Sequence, residues 1–154
     1  MAVMLVLAAM LAASAPAAEQ AAIFKAAGFT RAAGKWHTDC DQPDSGSYDP
    51  GQIESYRDLN GDGRPEAVVT EGGSFCYVHT GTGFWVLSKQ ANGSWKPLYK
   101  SQGIAEFLPT RGVGKMPDIS VGGPGFCFLV VRWNGKAYVT NGFEYEGKPC
   151  KLPQ

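Results

Sequence analysis

The chain is poor in the residues that hydrolytic and metal enzymes most often use. Its only histidines are His37 and His79, and it has no G-x-S-x-G, H-E-x-x-H or S-x-x-K pattern, which removes the commonest nucleophile and zinc-protease signatures. The four cysteines, Cys40, Cys76, Cys127 and Cys150, contain no C-x-x-C pair, so a zinc site is not expected. Charge of one sign is not in excess. The 14 basic and 14 acidic residues balance, which argues against a nucleic-acid binder and a polybasic membrane anchor. The one long apolar stretch, "MAVMLVLAAMLAASAPA", falls short of the roughly 20 residues a spanning helix needs. It carries no charge and ends in Ala15-Pro16-Ala17, an A-x-A cleavage pattern, so residues 1–17 read as a secretory signal peptide. No cysteine follows it before Cys40, which argues against a lipid anchor at its end.

What remains, residues 18–154, has the size of one domain with its own core. Twenty glycines, ten prolines and many aromatics point to a turn-rich β protein. Four cysteines in an exported chain imply disulfides rather than metal ligands. The Ala-rich segment after the leader predicts a helix over Glu19 to Ala27, stopped at Gly28, with its apolar side on a sheet. "CDQPDSGSYDPG" (Cys40 to Gly51) reads as a loop. Strand-like runs then alternate with turns, and Asn92-Gly93 and Asn134-Gly135 each sit between β-rich segments, as in type I′ hairpins.

The two halves resemble each other. "PEAVVTEGGSFCY" aligns with "PDISVGGPGFCF", about 50 residues on, and each copy continues to an Asn-Gly turn beside a Trp. Pseudo-repeats of about 52–100 and 104–150 suggest two propeller-blade-like units that must pack on each other or on a partner. The first copy is longer by "VHTGTGFWV", which could form an additional hairpin arm carrying Trp85. The fold class is therefore α+β, mostly β: one N-terminal helix plus antiparallel sheets from two diverged units. Three disulfide pairings are open; Cys40–Cys76 with Cys127–Cys150 is favoured, counting Cys127 opposite Gly142, and Cys76–Cys127 is the rival.

The segment "YRDLNGDGRPEAVV" resists a purely structural explanation. With Asp58 as position 1, Asn60 falls at 3, Asp62 at 5, Gly63 at 6, Arg64 at 7 and Glu66 at 9. Oxygens at alternate positions of a tight turn converge on its concave side, position 7 offers a carbonyl, and the glycine permits the sharp bend. Without a cation, Asp58, Asp62 and Glu66 would repel one another. An ordinary Asp-Gly turn explains Gly61 and Gly63 but not acids at 1, 5 and 9 together. The segment resembles an EF-hand loop, except that position 12 is Val69 and strands flank it. It is more similar to the strand-loop-strand calcium loops of FG-GAP and VCBS-type repeats. That resemblance implies Ca²⁺ held by Asp58, Asn60, Asp62, Arg64 (through its carbonyl) and Glu66. A dissociation constant on the order of 10⁻⁴ to 10⁻³ M, typical of extracellular sites, suits structural calcium. The second copy, "GVGKMPD" (Gly112 to Asp118), keeps the terminal acid but has Val113 in place of a ligand, so it reads as degenerate. More broadly, the layout is similar to a group of small exported bacterial proteins, a resemblance that implies no activity.

Other candidate chemistry is weaker. Asp39, Asp41 and Asp44 could pair with another acid for glycoside cleavage, but acids in a polar loop are usually just solvated. "VGGPGF" (Val121 to Phe126) lacks the lysine of a phosphate loop and reads as a bulged strand turn. Trp36, Trp85, Trp95 and Trp133, with Tyr77, Phe84 and Tyr138, could present an aromatic face, although alternate strand positions favour core packing. The function expected is non-enzymatic binding of an envelope protein or glycan, in the periplasm or outside the cell. Two alternatives stand beside it: a secreted inhibitor of a hydrolase such as lysozyme, using a loop over Thr80 to Phe84, and a glycan-acting hydrolase.

Overall fold

The computed structural model describes residues 13–40 and 47–153. The apolar leader up to residue 12 and the loop acids Asp41 and Asp44 lie outside the described residues. Helix α1 spans Ala17–Ala26, starting two residues earlier than the sequence suggests. It ends as expected at Gly28, whose φ of 89° lets its amide reach the Lys25 carbonyl while the Phe29 amide reaches that of Phe24. This pair of bonds is the Schellman arrangement that satisfies the last carbonyls of a helix. A short hairpin follows, β1 (Thr30–Ala32) and β2 (Lys35–His37).

Two antiparallel meanders make up the rest. The first is β3 (Tyr48–Arg57), β4 (Glu66–Gly73), β5 (Thr82–Lys89) and β6 (Trp95–Gln102). The second is β7 (Ile104–Arg111), β8 (Pro117–Gly122), β9 (Phe128–Trp133), β10 (Tyr138–Tyr145) and the two-residue β11 (Lys148–Pro149). In both sheets strand neighbours in space are neighbours in sequence. The fold is α+β and mostly β.

Alternation along β4 shows how the layers stack. Ala67 and Val69 face the helix and join Ile23, Phe24, Phe29, Trp85, Leu87 and Trp95 in one core. Val68 faces the other way and meets Phe84, Val86, Ile119, Val131 and Tyr138 in a second core between the sheets. Successive side chains of a strand point to opposite faces, so the first sheet is covered on both sides. Lys89 pairs with Glu19, and the Trp95 indole donates to the same carboxylate at 3.2 Å, pinning α1 to the first meander.

Several sequence expectations need correction. Tyr48 to Gly51 belong to β3 rather than to a loop, because the strand pairs as far as Tyr48↔Gly73. "VHTGTGFWV" is not an extra arm: most of it is β5, the third strand of the meander, with Phe84 at 0% and Trp85 at 3% exposure. Gly83 is required there, since a Cβ would lie 2.4 Å from the Tyr77 ring. The Asn-Gly hairpins exist, but their loops are longer than two residues. The Asn134 amide bonds the Ala137 carbonyl, and only the glycine of each Asn-Gly pair takes positive φ. Asn134 instead accepts the Lys136 and Ala137 amides. That longer loop and a bulge between Thr140 and Phe143 place Glu144 opposite Phe128, not Gly142 opposite Cys127. "VGGPGF" is the end of β8 and the turn that leads towards β9, and the pairing of β8 with β9 shows no bulge.

The disulfides are Cys40–Cys76 and Cys127–Cys150, the favoured pairing. Two such bonds belong to an oxidising, non-cytoplasmic environment. Among the described residues, no helix is long and apolar enough to cross a membrane.

Candidate functional site

The Asp-rich loop is the connection between β3 and β4, residues 58–65, at one end of the first sheet. Gly61 and Gly63 take φ values of 78° and 83°, which L side chains adopt only with strain. Those two reversals fold the backbone around Asp58. Its Oδ1 accepts the Gly61 amide at 2.7 Å and the Asn60 amide at 3.2 Å, and its Oδ2 accepts the Gly63 amide at 2.8 Å. Asn60 Oδ1 accepts the Asp62 amide, and Asp62 Oδ1 accepts the Arg64 amide. The loop is thus built from side-chain oxygens caught by backbone N–H groups. Burial alone would raise the Asp58 pKa, but the amides of Gly63, Gly61, Asn60 and Asp62 outweigh it and hold the carboxyl below its ordinary value.

Glu66 closes the loop from the first position of β4. It is 0% exposed. Its Oε2 accepts the Leu59 amide at 2.8 Å, and its Oε1 accepts the Ser88 hydroxyl at 2.9 Å. Burial pushes its pKa up, the Leu59 and Ser88 bonds oppose this, and the charges of Asp62 and Asp58 push it further up. This is a buried carboxylate with neutral donors and two like charges nearby.

Arg64 points away from the loop centre. Its Nε donates to the Lys89 carbonyl at 3.1 Å, and its Nη2 pairs with Asp62 Oδ2 at 2.6 Å. Both Asp62 oxygens are therefore engaged by Arg64, one by its amide and one by its guanidinium. Among the described residues, no group of three or more His, Cys, Asp or Glu side chains is gathered closely enough to hold a metal ion as they stand. The five residues singled out in the sequence do lie on one bend, with an all-oxygen donor set that suits a hard cation. Arg111, from β7 of the second sheet, donates to the Leu59 and Lys115 carbonyls at 2.8 and 2.7 Å, so the second sheet braces the loop.

The corresponding place in the second meander is built differently. Asp118 follows Pro117 as Glu66 follows Pro65, and it is 1% exposed. Across the ladder, where Ser88 faces Glu66, the second meander has Arg132. Its Nε and Nη2 reach Asp118 at 2.9 and 2.8 Å, and Thr110 adds a third donor at 2.6 Å. Burial raises the Asp118 pKa, but the Arg132 and Thr110 bonds prevail and set it below the ordinary value. Here the cation is part of the chain.

A third buried acid was not singled out in the sequence. Glu71, 1% exposed, accepts the Thr38 amide and hydroxyl at 2.9 and 2.7 Å and the Tyr77 hydroxyl at 2.7 Å, and it also bonds the Tyr48 hydroxyl. Burial, followed by the Glu71 bond, drives the Tyr77 pKa well above that of a free phenol. Four donors on one carboxylate tie the segment before Cys40 to β3 and β4. Its signal in the sequence is faint, because Glu71 sits in an unremarkable strand and, Tyr77 apart, its partners are distant.

The tryptophans, Tyr77, Phe84 and Tyr138 form no open face among the described residues. Trp85, Trp95, Tyr77 and Phe84 are buried, Trp36 stacks on Phe24, and Trp133 meets Tyr138. His79 and Asp39 are exposed, and His37 is half-buried. Compared with known proteins, the chain matches no family model, and no curated protein or solved structure matches it significantly.

Proposed function

We propose that this is an exported, non-catalytic binding domain of the periplasm, cell envelope or exterior, in which calcium seated in the Asp58–Glu66 loop fastens the first meander. The side chains of Asp58, Asn60, Asp62 and Glu66 and the carbonyl of Arg64 would hold the ion. When bound it supplies positive charge and oxygen coordination only. The observation that carries the reading is Glu66: a buried carboxylate beside two further acids, with a serine where the second meander has an arginine. A buried charge without a counter-charge is costly, and a divalent ion removes that cost.

Asp62 would exchange Arg64 for the ion. The Arg64–Asp62 pair is partly exposed, and pairs of this kind are worth about 0–1 kcal/mol, so it is a small obstacle. The shared strand order and the equivalent Pro65-Glu66 and Pro117-Asp118 positions support descent of both meanders from one blade-like unit. The paired cysteines and the apolar leader support export.

Isothermal titration of calcium into chelator-stripped protein tests the reading. One saturating site on the order of 10⁻⁴ to 10⁻³ M is expected, lost in Asp58→Ala. No heat of binding at any calcium concentration would sink it.

A second reading, a hydrolase inhibitor, is favoured by one feature. Phe75, Val78 and Phe126 are 64, 71 and 77% exposed on the β4–β5 and β8–β9 connections. Those connections touch, since a Cβ on Gly123 would lie 3.4 Å from the Thr80 methyl. Such a convex apolar tip suits a concave partner. The segment expected for this role, Thr80 to Phe84, does not supply it, because Phe84 is buried in β5.

A further inference from the structure

The outward face of the second sheet carries Asp118 and Ser120, each 1% exposed, on the opposite side of β8 from the core residue Ile119. Their shelter comes from the walls beside them. The ladder of β7 is interrupted between Phe107 and Arg111, and that of β10 between Thr140 and Phe143. Bulges bend a strand and re-aim its side chains, so both sides of the face rise. The β10–β11 hairpin and Cys127–Cys150 complete the rim. The open cleft between these walls has a volume of about 410 Å³, within the range of small-ligand sites.

We propose that this cleft binds a neutral sugar residue. Asp118 accepts three bonds from Arg132 and Thr110, whereas Arg132 keeps its Nη1 without a partner among the described residues. Glu144 accepts the Ser120 hydroxyl at 2.6 Å and the Gly147 amide at 2.8 Å, one on each oxygen, leaving further acceptor capacity on both. Asn141 adds a planar amide. Arg132 and Asp118 cancel in charge and Glu144 leaves one negative charge, so the floor opposes an anion. Glu144 is only half-buried, so solvent as well as its two donors meets the charge and it does not call for a cation. Hydroxyl groups both donate and accept, matching Glu144 as acceptor and Arg132 as donor on one molecule. The apolar face of a sugar ring then has Leu108, Pro109 and Phe143 to lie against. The positions equivalent to Ser120 and Arg132 in the first sheet are Val68 and Ser88, of which Val68 is spent on packing between the sheets. The polar groups of this cleft are particular to the second sheet.

The inference rests on the non-catalytic binding reading above, but not on its cation loop. Amide chemical shifts of the isotope-labelled chain, titrated with methyl β-glucoside, N-acetylglucosamine and maltose in chelator buffer, test it. N-acetyl-phenylalaninamide serves as the peptide control. Saturable shifts at Leu108, Val130 and Arg132 with at least one of the sugars are expected. Glu144→Gln, which turns a charged hydrogen bond into a neutral one, should weaken the sugar about tenfold. Leu108→Trp, which fills the cleft and leaves Asp118 and Arg132 intact, should abolish the response. No saturable shift with any sugar, an equal response in Leu108→Trp, or a response to the peptide control alone would overturn the site. Cleavage of maltose during the titration would keep the site and overturn the non-catalytic reading instead.

Discussion

Glu66 and Asp118 occupy equivalent places: each directly follows a proline at or next to the start of the second strand of its meander, and each is buried. They differ in what stands across the ladder. Asp118 meets the Arg132 guanidinium in a two-pronged contact, and Glu66 meets, among the described residues, only the Ser88 hydroxyl and the Leu59 amide. The loop before each acid differs in step. Ahead of Glu66 it is lined by Asp58, Asn60 and Asp62. Ahead of Asp118 it is the turn Val113–Lys115, which has no side-chain oxygen. An internal cation and an oxygen-lined loop thus replace one another, as they should if both answer the same electrostatic need. A carboxylate in a low-dielectric place requires a counter-charge, and the chain can supply it covalently or recruit it.

The comparison can be broken most forcefully at Arg132. Arg132→Ala leaves Asp118 buried and unpaired, and thermal unfolding should show Tm falling by several degrees, equally in calcium and in chelator. A drop that calcium rescues would mean the two meanders are not the alternatives described. Next in size is Ser88→Arg, which gives the first meander the partner the second already has. Its Tm in chelator should approach that of the calcium-loaded parent, and the calcium response of about 1.4 kcal/mol at ten times Kd should vanish.

A pH titration of stability sharpens the contrast at the second meander. Because the folded state holds the Asp118 pKa below its ordinary value of 3.8, the pair contributes fully above that value. That contribution is lost as pH falls through the lower, folded value. Unfolding curves between neutral and strongly acidic pH should therefore show an acid-side loss that Asp118→Asn lacks. The smallest effect is expected from Arg64→Ala, which frees Asp62 from an exposed ion pair worth about 0–1 kcal/mol. Calcium affinity by titration should rise by no more than about fivefold, and a fall would mean that Arg64 helps to hold the ion.

What could be read in the sequence was mostly local. The Gly28 helix stop, the Asn-Gly hairpins and the bend at Gly61 and Gly63 depend on residues within a few positions, and all are present. The disulfides are the pairing favoured among the three open ones, although a longer loop and a bulge shifted the register used to reason about Cys127. The failures were matters of distance and burial. Nothing local distinguishes Phe84 and Trp85 in an exposed arm from Phe84 and Trp85 in a strand covered on both faces. Glu71 gathers Thr38, Tyr48 and Tyr77 from across the fold, and Arg132 reaches Asp118 from the neighbouring strand. Only the register brings such partners together.

The central claim, that the first meander borrows its missing positive charge from calcium, is tested most directly by thermal melts of the parent chain and Asp58→Ala, each in calcium and in chelator. The account predicts a higher midpoint with calcium for the parent, corresponding to about 1.4 kcal/mol at ten times Kd, and no shift for Asp58→Ala. Coincident melts of the parent chain in the two buffers would contradict it.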